Sequence, residues 1–347
     1  MENSKKRVVW IDYLKVFACI LVVIGHLIQS LQKSNIDNFE NITSFINWFI
    51  YLFHMPLFFA VSGYVYEINK KDFSWKEYKS FAIKKVINLG IPYIVFYLLY
   101  VIINMIFADS VNSPKGIEEI VGILNNPMPP YWFLYALLSI FIFEPLIEKI
   151  LKNNKTAITI LLVSLKIISL FISTNIYLVD SFLDNAIYFY LGSIIKDVIE
   201  ASRNKIRDSS ILRNIMMIIG YIIGAIIYYI LQNKINNYIC AIINLIFAIS
   251  GTLICFKIFI SINKLKIFDY IKRYTFPIYL LHTIFAAGFR IILIQLGISN
   301  YFIHFIIGLF ASIAIPIIIA KICEKTKYLN FFFYPYKTIK ELKNKSI

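Results

Sequence analysis

Three ionisable side chains stand inside one apolar run near the amino terminus, WIDYLKVFACILVVIGH: Asp12, Lys15 and His26. An ionisable group in hydrocarbon costs several kcal/mol unless it is paired or hydrated, so each is a candidate for function. Lys15 and His26 are eleven residues apart, almost three turns of α-helix, which puts them on one face about 16 Å apart along the axis. Cys19 and Val22 fill the stripe between them. The plainer reading is a salt bridge from Asp12 to Lys15 near the membrane surface and a histidine bonded to a neighbouring helix. A second apolar run, FINWFIYLFHMPLFFAVSGYVY, holds His54 about midway, Pro56 to bend the helix, and Ser62 with Gly63 where helices can approach closely. Ser62 and Gly63 are expected to pack rather than react, because no base sits at a helical neighbour position. A third histidine, His282, lies in the run FPIYLLH. For His54 and His282 the plainer reading is a neutral ring satisfying another helix through one hydrogen bond.

The elements that must position these residues are membrane spans. Apolar residues make up 59% of the chain and charged residues 16%, with a mean hydropathy of +0.71, far from the roughly quarter-charged make-up of a soluble domain. The apolar residues come in blocks of about 20, the length that crosses a ~30 Å hydrocarbon core. The blocks predict an all-α polytopic protein of about ten spans: 8–30, 45–66, 86–107, 131–147, 156–174, 181–198, 211–231, 238–256, 274–296 and 301–322. Nothing between them is long enough for a soluble domain, so residues 1–347 are expected to form one transmembrane domain without an appended soluble one.

The net charge of +15 does not argue for nucleic acid, because it is not spread over a soluble surface. Of 35 Lys and Arg residues, 29 fall in alternate segments, 3 in the others, and Lys15, Lys166 and Arg290 lie within spans. The positive-inside rule then puts both termini in the cytoplasm. The basic flank before the first run resembles a signal peptide, but Asp12 and Lys15 interrupt the run and no small-residue cleavage site follows, so an uncleaved span is expected. The four cysteines show neither metal nor disulfide spacing and are taken as small apolar residues; no metal site is expected.

The motifs WIDYLKVFACILVVIGH and FHMPLFFAVSGY resemble the opening of acyltransferase-3 proteins, in particular the branch of sugar O-acetylases. The resemblance continues along nearly the whole chain: KKVINLGIPYIVF is similar to the basic start of the family's third span, YWFLYALL to its tryptophan-bearing fourth, YFYLGSIIKD to its sixth and FPIYLLH to its ninth. It implies transfer of an acyl group, usually acetyl from acetyl-coenzyme A, to a hydroxyl of a cell-envelope glycan, in a bacterial cytoplasmic membrane. Two positions depart from the family. Lys15 stands where many members have arginine, which keeps the charge but not the planar fork, and Lys84 with Lys85 stand where several arginines are common.

With the amino terminus inside, Lys15 lies in the inner half of its helix and His26 in the outer half. A cationic inner mouth formed by Lys15, Lys84 and Lys85 suits the anionic nucleotide end of an acyl-coenzyme A, whose pantetheine arm would carry the thioester outward. His26 would act as general base on the acceptor hydroxyl, or form an acyl-histidine intermediate. His54 and His282 would orient the thioester or polarise its carbonyl. Asp12 would orient a basic neighbour or neutralise Lys15. Lys84 and Lys85 also suit interfacial anchors, and Trp132, at the outer start of the fourth span, either stacks on a sugar or belongs to the aromatic belt. The partners implied are acyl-coenzyme A, a glycan and membrane lipid, with no nucleic acid and no permanently bound cofactor. The rival class is a glycan transporter or exporter, which would more readily show paired repeats or matching interrupted helices. A non-catalytic scaffold explains poorly why histidines occupy adjacent apolar spans.

Overall fold

The computed structural model describes residues 8–207 and 211–343. The basic flank at residues 5–7 and the lysine at 345, which contribute to the charge pattern, lie outside the described residues. The chain is all-α, with no strand among the described residues. In order the helices are α1 (Val9–Gln32), α2 (Glu40–Asn69), α3 (Trp75–Lys85), α4 (Ile91–Ile106), α5 (Glu118–Val121), α6 (Trp132–Ile150), α7 (Lys155–Ile168) and α8 (Tyr177–Arg207). There follow α9 (Ile211–Leu231), α10 (Asn237–Phe259), α11 (Lys266–Ile271), α12 (Thr275–Gln295), α13 (Tyr301–Glu324), α14 (Lys327–Phe333) and α15 (Pro335–Lys343).

It is a polytopic membrane protein. Seven helical stretches among the described residues are long and apolar enough to cross a bilayer: α1, α2, α3 running into α4, α9, α10, α12 and α13. The other three expected spans fall on α6, α7 and α8. Helix α7 has 14 residues, about 21 Å of rise, which is short of the hydrocarbon core. Helix α6 carries Glu144, Glu148 and Lys149, and α8 carries Asp180, Asp184, Lys196, Asp197 and Glu200, charges that interrupt the apolar run a span requires.

The helices cluster into two compact units. The first combines the chain up to Val22 with Ser44–Asn69 and Tyr188–Thr275. Its core gathers Trp10, Leu14, Phe53, Leu57, Tyr64, Phe256 and Phe259, with the Trp10 ring edge-on to Tyr64 at 5.3 Å and to Phe256 at 5.9 Å. Helices α2 and α8 meet here backbone to backbone. A Cβ at Gly63 would lie 1.8 Å from the carbonyl oxygen of Phe189, and one at Gly192 would lie 1.9 Å from that of Ala60. Small residues let membrane helices approach this closely, which is the packing role expected of Gly63.

The second unit combines Val23–Thr43, Lys70–Ile187 and the chain from Phe276 onward. Between α3 and α4 the backbone widens into a π turn over Val86–Gly90. Pro92 lacks the N–H that would bond the carbonyl of Asn88, so the helix must loosen just before it. The carboxy-terminal helix docks against this turn, where the Tyr336 N–H donates to Asn88 Oδ1 at 3.3 Å.

Candidate active site on the seam of α1 and α12

The carboxy-terminal half of α1 and helix α12 present matching polar stripes within the second unit. On α1 these are His26 and Ser30, one turn apart; on α12 they are His282 and Arg290, two turns apart with Ala286 between them. The rings of His26 and His282 face each other with centroids 5.2 Å apart and planes at 46°. Leu27, Leu31, Ile36, Ala286 and Tyr301 form a small buried cluster on the same seam. At its other end Arg290 Nη1 donates to Ser30 Oγ at 2.5 Å. Helix α13 backs the arrangement: a Cβ on Gly308 would come within 2.8 Å of Leu27 Cδ1, and Ser312 Oγ donates to the His282 carbonyl at 3.1 Å.

The two histidines differ in what they can do. His282 is fully buried, and its Nδ1 lies 2.8 Å from the Tyr279 carbonyl and 3.2 Å from that of Ile278. A carbonyl only accepts, so Nδ1 carries the proton and, in the neutral ring, Nε2 keeps its lone pair. That Nε2 has no hydrogen-bond partner among the described residues. His26 is half-buried and is the member of the pair that another molecule can reach. A reachable imidazole backed by a second ring with a free lone pair can take up a proton and have the resulting charge stabilised from behind.

A third wall comes from the chain between α4 and α6. Residues 107–131 fold back along α4 instead of staying at its end. Tyr97 Oη donates to the Glu119 carbonyl at 2.9 Å, and Tyr93 Oη donates to that of Ile123. Tyr93 lies thirteen residues before the end of α4, so the segment returns over about 20 Å of helix. Irregular backbone leaves carbonyls to be satisfied, and tyrosine hydroxyls at i and i+4 on α4 supply donors for two of them. The segment's end is tied to α12 from both sides. Tyr131 Oη donates to the Leu280 carbonyl at 3.0 Å, and Tyr279 Oη donates to that of Pro130. Helix α6 therefore begins beside Tyr97, Tyr100 and Leu280, with Trp132 half-buried in its first turn.

The other expected site residues divide between the units. Asp12 and Lys15 belong to the first, 3.7 Å apart as an i, i+3 pair, with the Asp12 side chain 8% and the Lys15 side chain 34% exposed. Next to them Tyr13 Oη donates to Asp269 Oδ1 at 3.0 Å and Lys272 Nζ donates to the same oxygen at 2.6 Å. Donation from Lys272 first and Tyr13 second holds the Asp269 carboxyl below its ordinary value. His54 is also in the first unit, buried, with Nδ1 donating to the Ile50 carbonyl one turn back at 2.8 Å and its ring edge-on to Tyr51 at 4.6 Å. Lys84 and Lys85 are in the second unit at the π turn. Lys85 Nζ lies 3.3 Å from the centre of the Phe141 ring and Lys84 Nζ lies 5.3 Å from that of Tyr336, positions that suit cation–π contact. No group of three or more His, Cys, Asp or Glu residues able to hold a metal occurs among the described residues.

The chain matches the family of the acyltransferase domain, the third of that name, over residues 8–321. It belongs to the acyltransferase-3 family. It is 44% identical over 63 residues to nodulation protein NolL of Sinorhizobium fredii, covering 18% of this chain and 17% of that protein. It is 27% identical over 159 residues to nodulation protein NolL of Mesorhizobium japonicum, covering 46% of this chain and 40% of that protein. The chain thus spans less than half the length of these relatives. No solved structure matches it.

Sequence reasoning missed the partner of Arg290, the buried Ser312 and the tyrosines that hold the returning segment. One signal was available: Tyr93, Tyr97 and Tyr100 recur at helical spacing on a largely aliphatic span.

Proposed function

We propose that this protein moves an acyl group, in the first instance acetyl, from a cytoplasmic acyl-coenzyme A to a hydroxyl of a cell-envelope glycan. Membership of the acyltransferase-3 family supports the reaction class. The observation that carries the reading is the facing pair His26 and His282, with the tautomer of His282 set by the Tyr279 carbonyl. In the proposed reaction His26 takes the proton of the acceptor hydroxyl as its oxygen attacks the thioester carbonyl carbon. The carbon–sulfur bond breaks, and coenzyme A leaves as a thiol with the proton returned by His26. The lone pair of His282 stabilises the His26 imidazolium while it lasts, so His282 acts as a positioning partner. Lys15, Lys84 and Lys85 are the candidates for the donor's phosphates, and Trp132 for a sugar ring. The alternation of loop charge supports a cytoplasmic face for the donor and a bacterial cytoplasmic membrane as the location.

One assay tests direction, chemistry and class together. In sealed inside-out vesicles containing the glycan, acetyl-coenzyme A labelled in the acetyl group and added outside should label the glycan, whereas right-side-out vesicles should not. His26→Ala should insert and bind donor yet lose roughly 10²- to 10⁴-fold of the labelling. A transporter would move glycan and transfer no label even in the wild type. Normal labelling by His26→Ala at wild-type abundance would sink the proposed chemistry.

A further inference from the structure

Arg290 is 4% exposed, and all of its hydrogen bonds among the described residues come from one nitrogen, Nη1, to the Ser30 hydroxyl at 2.5 Å and the Ser30 carbonyl at 3.4 Å. Its Nε is buried without a partner, and no carboxylate pairs with it among the described residues. Two other buried charges are answered by an ion pair: Asp12 has Lys15 within 3.7 Å and Glu148 has Lys70 at 2.8 Å. A buried guanidinium with a serine and no anion is a strongly unfavourable arrangement to retain for packing alone, because apolar residues of similar volume would serve better. Its planar fork is the side chain best matched to an oxyanion. Further polar groups gather at the same place. Asn112 Nδ2 donates to the same Ser30 carbonyl at 2.9 Å and its Oδ1 accepts from Ser34 Oγ at 3.0 Å, while Tyr100 lies within electrostatic reach of the guanidinium.

Its distance from the histidines limits what the anion can be. Arg290 is bonded to Ser30, four residues or about 6 Å along α1 from His26, whereas a donor that stabilises a developing oxyanion must stand about 3 Å from it. Arg290 is therefore misplaced for the reacting carbonyl and well placed for another part of the acceptor. We propose that Arg290 is the acceptor-recognition residue of the site and binds a carboxylate or phosphate that the glycan carries away from the hydroxyl to be acylated, one helical turn or more along the seam. The glycan would then be an acidic one, held in register by that charge. This proposal rests on the acyl-transfer reading above for its acceptor, and the test below separates the two.

The same anion chemistry could be supplied by an acidic lipid headgroup, so the test varies the two sources independently. The full chain is placed in nanodiscs of phosphatidylcholine with or without phosphatidylglycerol and given labelled acetyl-coenzyme A. Two acceptors are compared, an oligosaccharide of uronic acids and its carboxyl-reduced neutral counterpart. The wild type should prefer the acidic acceptor by roughly 10- to 100-fold in kcat/KM, the range a lost charge-assisted hydrogen bond spans. Arg290→Gln should bring that ratio close to one through the KM for the acidic acceptor, and Arg290→Lys should restore part of it. No preference in the wild type, an equal loss on both acceptors in Arg290→Gln, or a preference that follows phosphatidylglycerol would each overturn the proposal. Should the wild type acylate neither oligosaccharide, the acyl-transfer reading fails, and direct binding of the acidic oligosaccharide still decides the present one. Binding that is weakened in Arg290→Gln supports it, and binding indifferent to the substitution overturns it.

Discussion

The two halves of helix α1 treat their polar residues in opposite ways. At the amino-terminal half Asp12 and Lys15 pair within the helix, and Tyr13 anchors that end to Asp269 beneath a dense aromatic core. The charges there are largely answered by the protein itself. At the carboxy-terminal half, among the described residues, His26 meets a histidine whose Nε2 lone pair is unmatched, and Ser30 meets a guanidinium that no carboxylate neutralises. One end is internally balanced; the other leaves bonding capacity for a further molecule. A membrane interior penalises unmatched polar atoms, so polarity concentrated at one end and left open marks where chemistry can occur more surely than polarity as such.

The sharpest way to break this comparison is to remove the unmatched lone pair. His282→Ala should lower acyl transfer by roughly 10²-fold while leaving donor binding in place, since the group is expected to act through His26 in the transition state. Transfer within a few-fold of wild type, measured with labelled acetyl-coenzyme A, would mean that the facing rings are a packing feature. A smaller effect is expected at the balanced end. Lys15→Ala should weaken acyl-coenzyme A binding by about tenfold and Lys15→Arg should keep most of it, as a lost charge-assisted contact predicts. Unchanged donor affinity in a folded Lys15→Ala protein would remove Lys15 from the donor site and leave Lys84 and Lys85. The smallest change is expected for Asp12→Asn, where a partly exposed pair contributes only about 0 to 1 kcal/mol. If Asp12 merely neutralises Lys15, donor affinity should hold or rise slightly, and a loss as large as that of Lys15→Ala would show that Asp12 orients the lysine.

Some features were written locally and could be read from the chain alone. Long apolar blocks force helices because hydrocarbon offers backbone groups no other partner, and the family motifs around His26 and His54 are contiguous strings. The helical spacing from Asp12 to Lys15 is likewise a local property, and the pair lies where the spacing puts it. Gly63 belongs with these, since a small residue in a span already signals close approach, though not that Phe189 is the neighbour.

Other features depend on which helices become neighbours. His26 and His282 are separated by 256 residues, and only the packing of α12 on α1 selects that pair. The same packing turns Arg290 from a stray charge into one end of a polar seam with Ser30. The returning segment between the expected spans 86–107 and 131–147 does not show in its own residues where it lies. Its depth is fixed by hydroxyls on other elements, Tyr93 and Tyr97 of α4 and Tyr279 of α12, that satisfy its carbonyls. The sequence by itself determined that this chain lives in a membrane, which helices it forms and which residues are costly to bury there, since those follow from local hydropathy and backbone hydrogen bonding. Only the tertiary structure decided which of those costly groups meet, because a polar contact between helices depends on their packing, and a helix carries no local record of its neighbour.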